Sequence, residues 1–124
     1  MTKFKGLWTL KKNSMYNLVF LKKENDLNKV LKRFKKEPRR CSILFISLWD
    51  KWCEKLVTDL KEAYLDSEDN GEALYIVDSL KMPHSFVIYG TNKTPHLIQL
   101  RKEQTISEDY LPHVYKMLKL NQAS

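Results

Sequence analysis

Apolar residues fall in short blocks along the chain, separated by charged or turn-forming stretches. Residues 17–21, Asn-Leu-Val-Phe-Leu, have the pattern of a short strand. Leu27, Val30, Leu31 and Phe34 then recur at i, i+3, i+4 and i+7. That spacing predicts an amphipathic helix, capped by Asn25 or Asp26 and ended near Glu37 by Pro38. Residues 42–48 are the most apolar block and predict a buried central strand. Leu56, Val57, Leu60 and Tyr64 mark a second helix. A turn cluster at 66–71 leads into a further buried strand, 73–78. Met82-Pro83 is expected to open a strand at 85–89, with 90–94 as a turn and 96–100 as the returning arm of a hairpin. Leu111, Val114, Tyr115 and Leu118 form the stripe of a last helix, capped by Ser107 or Asp109, with Pro112 in its first turn. Residues 1–16 mix Phe4, Leu7, Trp8, Leu10 and Met15 with lysines at no regular period. They read as an N-terminal arm ahead of a domain spanning 17–124.

Strands alternating with helices, then a hairpin and a closing helix, predict an α/β fold: a mixed sheet of four to five strands flanked by about three helices. A chain of 124 residues, 43% apolar, is enough for one core. No apolar run approaches the roughly 18 residues that span a bilayer, so no membrane partner is expected. The apolar piece at 6–10 is too short for a secretion leader, which points to a cytoplasmic protein. Cys41 and Cys53 are too few for a disulfide framework, and His84, His96 and His113 are scattered, so neither a metal site nor a cofactor is expected.

The net charge is +7, and residues 22–40 hold nine Lys or Arg against three acids, six of those seven charges. Such a cluster suits phosphates or an acidic protein, and it also suits a plain solvated helix face. No aromatic is interleaved for base stacking, because Phe34 belongs to the apolar stripe; this weighs against nucleic acid.

The candidate chemistry lies in residues 43–56, where a buried strand delivers Cys53 to the start of a helix. A thiol there sits at the positive end of the helix dipole, and Lys51 and Lys55 would favour thiolate while Glu54 opposes it. This segment resembles the active-site segment of the thioredoxin-like superfamily: a strand, then Trp-x-x-Trp-Cys-x-x-Cys, then a helix. Trp49, Trp52 and Cys53 match, while Leu56 replaces the second cysteine. Ser47 stands where that family usually buries an aspartate.

The resemblance implies thiol-disulfide chemistry through a single cysteine: a mixed disulfide of Cys53 with a protein thiol or a small thiol such as glutathione, released by an external thiol. It also implies a cis-proline facing the cysteine. Met82-Pro83 matches that element, and Trp49, Trp52, Met82 and Pro83 would line the substrate groove; a trans proline starting an edge strand is the other reading. The family's helix before that strand has no room between Asp78 and Pro83 and is expected to be missing. The bare sheet face would be covered by the arm, a protein partner or a second copy. Cys41 cannot resolve Cys53, since a strand of about seven residues separates them by about 23 Å and a disulfide needs Cα atoms within about 7 Å. Two other functions stay open: a redox-inactive thioredoxin-fold module that binds a protein, and a basic accessory to nucleic acid.

Overall fold

In the computed structural model, residues 17–38, 41–66 and 73–120 are described. Their order is β1 (Asn17–Phe20), α1 (Glu24–Lys36), β2 (Cys41–Ile46), α2 (Lys51–Ala63), β3 (Leu65–Asp66), β4 (Ala73–Asp78), α3 (Pro83–Ile88), β5 (His96–Leu100), β6 (Thr105–Glu108) and α4 (Leu111–Met117). The strands form one sheet in the order β3-β1-β4-β2-β5-β6. The first four run parallel, while β5 is antiparallel to β2 and β6 to β5.

Every residue of β2 and β4 is buried, as expected of central strands covered on both faces. The pleat sends Leu44 and Ile46 into one core with α2 and α4. Cys41, Ile43 and Phe45 go into the other core, with α1 and α3. Two polar ties lock the first layer. The Tyr115 hydroxyl donates to Asp59 at 2.7 Å, and Lys55 pairs with the same carboxylate at 3.0 Å. The Tyr64 hydroxyl donates to the Leu118 carbonyl. Burial, reinforced by the Asp59 carboxylate, holds the Tyr115 phenol well above its ordinary value.

The expected strand at 85–89 is a helix. Pro83 takes its first position, where the missing N–H costs nothing, and Gly90, with φ +63°, ends it. Met82, Phe86 and Tyr89, at i, i+4 and i+7, pack into the second core while Val87 and Ile88 face outward. The β-branched pair suggested a strand, and tertiary packing overrode that preference. The helix expected to be missing is therefore present, and it covers the sheet face that was expected to be bare. The partner of β5 is β6, in the register Leu97↔Glu108 to Leu100↔Thr105, and not residues 85–89. The arm at 1–16, proposed as one possible cover, lies outside the described residues.

The other helices follow the sequence spacing. Leu27 and Val30 of α1 are buried, and the Asp26 carboxylate accepts from the Lys22 and Lys23 N–H groups, both at 3.1 Å. In α4, Val114 and Tyr115 are buried and Leu118 follows them into the core.

Candidate functional site

The ends of β2 and β4 lie level, with Ile46 opposite Asp78, and the Ser79 N–H donates to the Ile46 carbonyl at 3.0 Å. The loops that follow, 47–50 and 79–82, therefore leave the sheet side by side. Leu48, Trp49, Trp52 and Leu80 are all exposed there, Trp49 at 81% and Trp52 at 57%. Isolated exposed apolar residues are ordinary, but four large ones, three on these adjoining loops and Trp52 in the first turn of α2, form a patch suited to a partner.

Asp50 decides where Cys53 goes. Its carboxylate accepts from the Trp52 N–H at 2.9 Å, an N-cap that starts α2 at Lys51. Cys53 is thus the third helical residue, and Cys53, Leu56, Val57 and Leu60 make an i, i+3, i+4, i+7 stripe, all buried. Cys53 has 0% exposure and packs in the core with Leu18, Leu44 and Leu56. The two tryptophans and the thiol, adjacent in sequence, point in opposite directions.

Burial pushes the Cys53 thiol up from its ordinary value, with the Asp50 carboxylate adding to the rise. The Ser47 backbone N–H and the Thr94 hydroxyl act in the opposite direction but do not prevail. The help expected from lysines is weak: Lys51 is exposed, and Lys55 is engaged by Asp59. Loss of solvation is thus the largest influence on this thiol and moves it in the direction opposite to the one the helix end would favour.

The cis-proline among the described residues is Pro95, not Pro83. The cis bond is Thr94–Pro95, and the Thr94 hydroxyl is one of the groups that lower the Cys53 thiol against burial. Met82 is fully buried in the core on the other sheet face, and Pro83 is exposed at the start of α3. Neither position fits the substrate groove expected of them. Cys41 packs in the core on the sheet face opposite Cys53, and neither cysteine forms a disulfide.

Sequence reasoning missed three contributors. Thr94 falls in the expected turn, although a Thr-Pro pair directly before the strand beside β2 is a usable signal. Asp50 was not recognised as a cap. Asp78 is 7% exposed at the end of β4, its carboxylate accepting from the Leu80 N–H at 2.9 Å. It helps line a cavity of about 450 Å³ at the carboxyl ends of β1, β4 and β2, together with Phe20, Leu48, Val57, Ile76 and Lys81. Clefts outside the carboxyl ends of parallel strands are common ligand positions. Beside it, the Lys61 ammonium stands 5.2 Å from the Phe20 ring centre. Among the described residues no group of three His, Cys, Asp or Glu side chains could hold a metal ion, and no helix is long and apolar enough to cross a membrane.

This strand order, with the cysteine at the head of α2 and a cis-proline directly before β5, defines a thioredoxin-like fold. Solved structures agree. The chain is similar to the thioredoxin of Schistosoma mansoni, with 23% identity and TM-score 0.64, covering 86% of this chain and 97% of that one. It is similar to thioredoxin O2 of Arabidopsis thaliana, with 15% identity and TM-score 0.62 over 86% and 96%. It is also similar to the thioredoxin of Trypanosoma brucei brucei, with 10% identity and TM-score 0.59 over 85% and 90%. No protein-family model and no curated protein sequence matches the chain. At these identities the likeness is one of fold.

Proposed function

We propose that this chain is a redox-inactive thioredoxin-fold module that binds a protein partner through Leu48, Trp49, Trp52 and Leu80. One observation carries the reading: Cys53 is fully buried with its thiol pushed up, while both neighbouring tryptophans stand in solvent. Leu56 also removes the second sulfur that would release a mixed disulfide. The fold then serves as a rigid mount for an apolar contact, with the cavity beside Leu48 able to receive a partner's side chain.

A single-cysteine thiol-disulfide function, with a protein thiol or glutathione as partner, is the second reading. It is favoured by the Thr94 hydroxyl and the Ser47 backbone, both of which act to lower the Cys53 thiol. It requires the first turn of α2 to open before the sulfur can be attacked.

Capture by immobilised protein separates the two. With Cys53→Ala as bait, the same partner should be retained as with the unmodified chain. With Trp49→Ser/Trp52→Ser, affinity should fall about thirtyfold or more, the loss of an aromatic anchor. A partner held by the unmodified chain only through a reducible bond, and lost from Cys53→Ala, would reverse the assignment.

A further inference from the structure

The cationic face of α1 takes no part in the reading above. Lys29, Lys32, Arg33 and Lys36 stand at i, i+3, i+4 and i+7, so they share one side of the helix, and all four are exposed. Lys35 flanks them, also exposed. Of the three acids at the helix, Glu24 and Asp26 lie in its first turn, where the Glu24 carboxylate accepts from the Ser85 hydroxyl at 2.8 Å and Asp26 accepts backbone N–H groups, and the exposed Glu37 caps its far end. Among the described residues, no ion pair engages Lys29, Lys32, Lys35 or Lys36.

Cations in the last turn complement the helix dipole, which accounts for Lys35 and Lys36, and Lys29 stands one turn after Asp26 and helps to lower its carboxylate, which leaves Lys32 with neither. Like charges at i, i+3 and i+4 repel, so this stripe works against the helix that carries it unless an anion lies along it. The basic surface borders a cleft of about 400 Å³ between α1 and the end of β1, with an apolar floor of Val19, Phe20, Leu21 and Val30 and a rim of Lys22, Lys29, Arg33 and one acid, Asp26. The Arg33 guanidinium is fixed there by donating to the Tyr75 hydroxyl at 2.8 Å.

From this arrangement we infer that the α1 face binds the phosphodiester backbone of a duplex nucleic acid, without reading its sequence. Charge complementarity calls for a polyanion, and what the face lacks decides which one. Every large apolar side chain exposed among the described residues lies elsewhere, from Leu48 to Tyr110, and none is on α1. A protein interface needs desolvated apolar or aromatic anchors and is depleted in lysine, whereas contact with a phosphate backbone needs only cations. Lys29, the adjacent Lys32–Arg33 pair and Lys36 rise in steps of about one helical turn, so the cations run in a line of about 10 Å along the helix. The lack of an exposed aromatic on α1 favours a duplex over a single strand, which would lose its stacking contribution.

The test is fluorescence anisotropy of the full chain with a labelled 20-base-pair duplex, between 50 and 200 mM salt, alongside a single strand of equal length and poly-glutamate. Four phosphate contacts would give a log–log salt slope of about −3.6, hence a loss of about 150-fold across that range. Lys29→Gln/Lys32→Gln/Lys36→Gln should flatten the slope by about 2.7, with a melting temperature no lower than that of the unmodified chain. The inference is overturned if the duplex does not bind at 50 mM salt, if the triple variant binds with an unchanged slope, or if poly-glutamate binds as tightly as the duplex. That last result would make the partner an acidic protein.

Discussion

Replacing Cys53 with aspartate should destabilise this protein more than any other single change at the site. The side chain lies in the core beside Leu18, Leu44 and Leu56 with 0% exposure. An unpaired carboxylate there costs about 3–5 kcal/mol, a large share of the 5–15 kcal/mol that holds a small domain together. The sign makes the experiment decisive. An aspartate at the third position of a helix, if it faced water, would gain about 0.3–1 kcal/mol from the helix dipole. Urea denaturation therefore separates a buried thiol from a surface one by direction as well as size. Cys53→Ala, which removes only the sulfur, should cost about 1 kcal/mol and stay folded. A Cys53→Asp variant as stable as the unmodified chain would show the sulfur to be on the surface.

The second large effect is expected at Phe45, which joins the central strand to α3. Its ring meets Phe86 edge-on at 5.2 Å and lies 5.5 Å from Tyr89, both of which belong to the segment that seats α3. Phe45→Ala removes a fully buried ring and should cost about 3–5 kcal/mol. A six-residue helix does not hold itself in water. Amides of residues 86–90 should accordingly lose their protection from hydrogen exchange before those of α2 do. A cost below about 1 kcal/mol, or uniform loss of protection, would mean that α3 is seated by something else.

Most of the architecture was legible because it is written in period. The stripes of α1, α2 and α4 follow from spacing alone, and the uninterrupted apolar runs of β2 and β4 mark central strands. Residues 83–88 misled because Val87 and Ile88 favour strands and the segment is too short for a strong helical period. Punctuation was the better guide: a proline opening and a glycine closing the segment bracket a helix. The wrong element then displaced the cis-proline, leaving Thr94 in a supposed turn and Pro95 unassigned, and creating a gap where none exists.

The site was half legible. The motif located the loop, but the orientation of Cys53 depends on where α2 begins, and that is set by a single cap. The stripe Leu56, Val57, Leu60 extends back one step to Cys53, and that extension would have predicted burial. Sequence also could not weigh solvation loss against the helix dipole, since that balance depends on packing around the sulfur.

The raised thiol has a consequence for stability. A group held above its unfolded value contributes fully below the unfolded pKa, about 8.5 for a thiol, and the contribution fades as pH rises through the folded value. Cys53 should therefore add to loss of stability on the alkaline side, and Cys53→Ala should lessen it.

The central claim, that Cys53 is shut away from solvent as a protonated thiol, is tested most directly by alkylating the native chain between pH 6 and 10 and following the Cys53 peptide by mass. The expected result is a native rate at pH 7 at least about a hundredfold below that in urea, as for a group that reacts only on local opening, with a midpoint above the ordinary thiol value. A native rate equal to or faster than the unfolded one, with a midpoint below about 8.5, would contradict it.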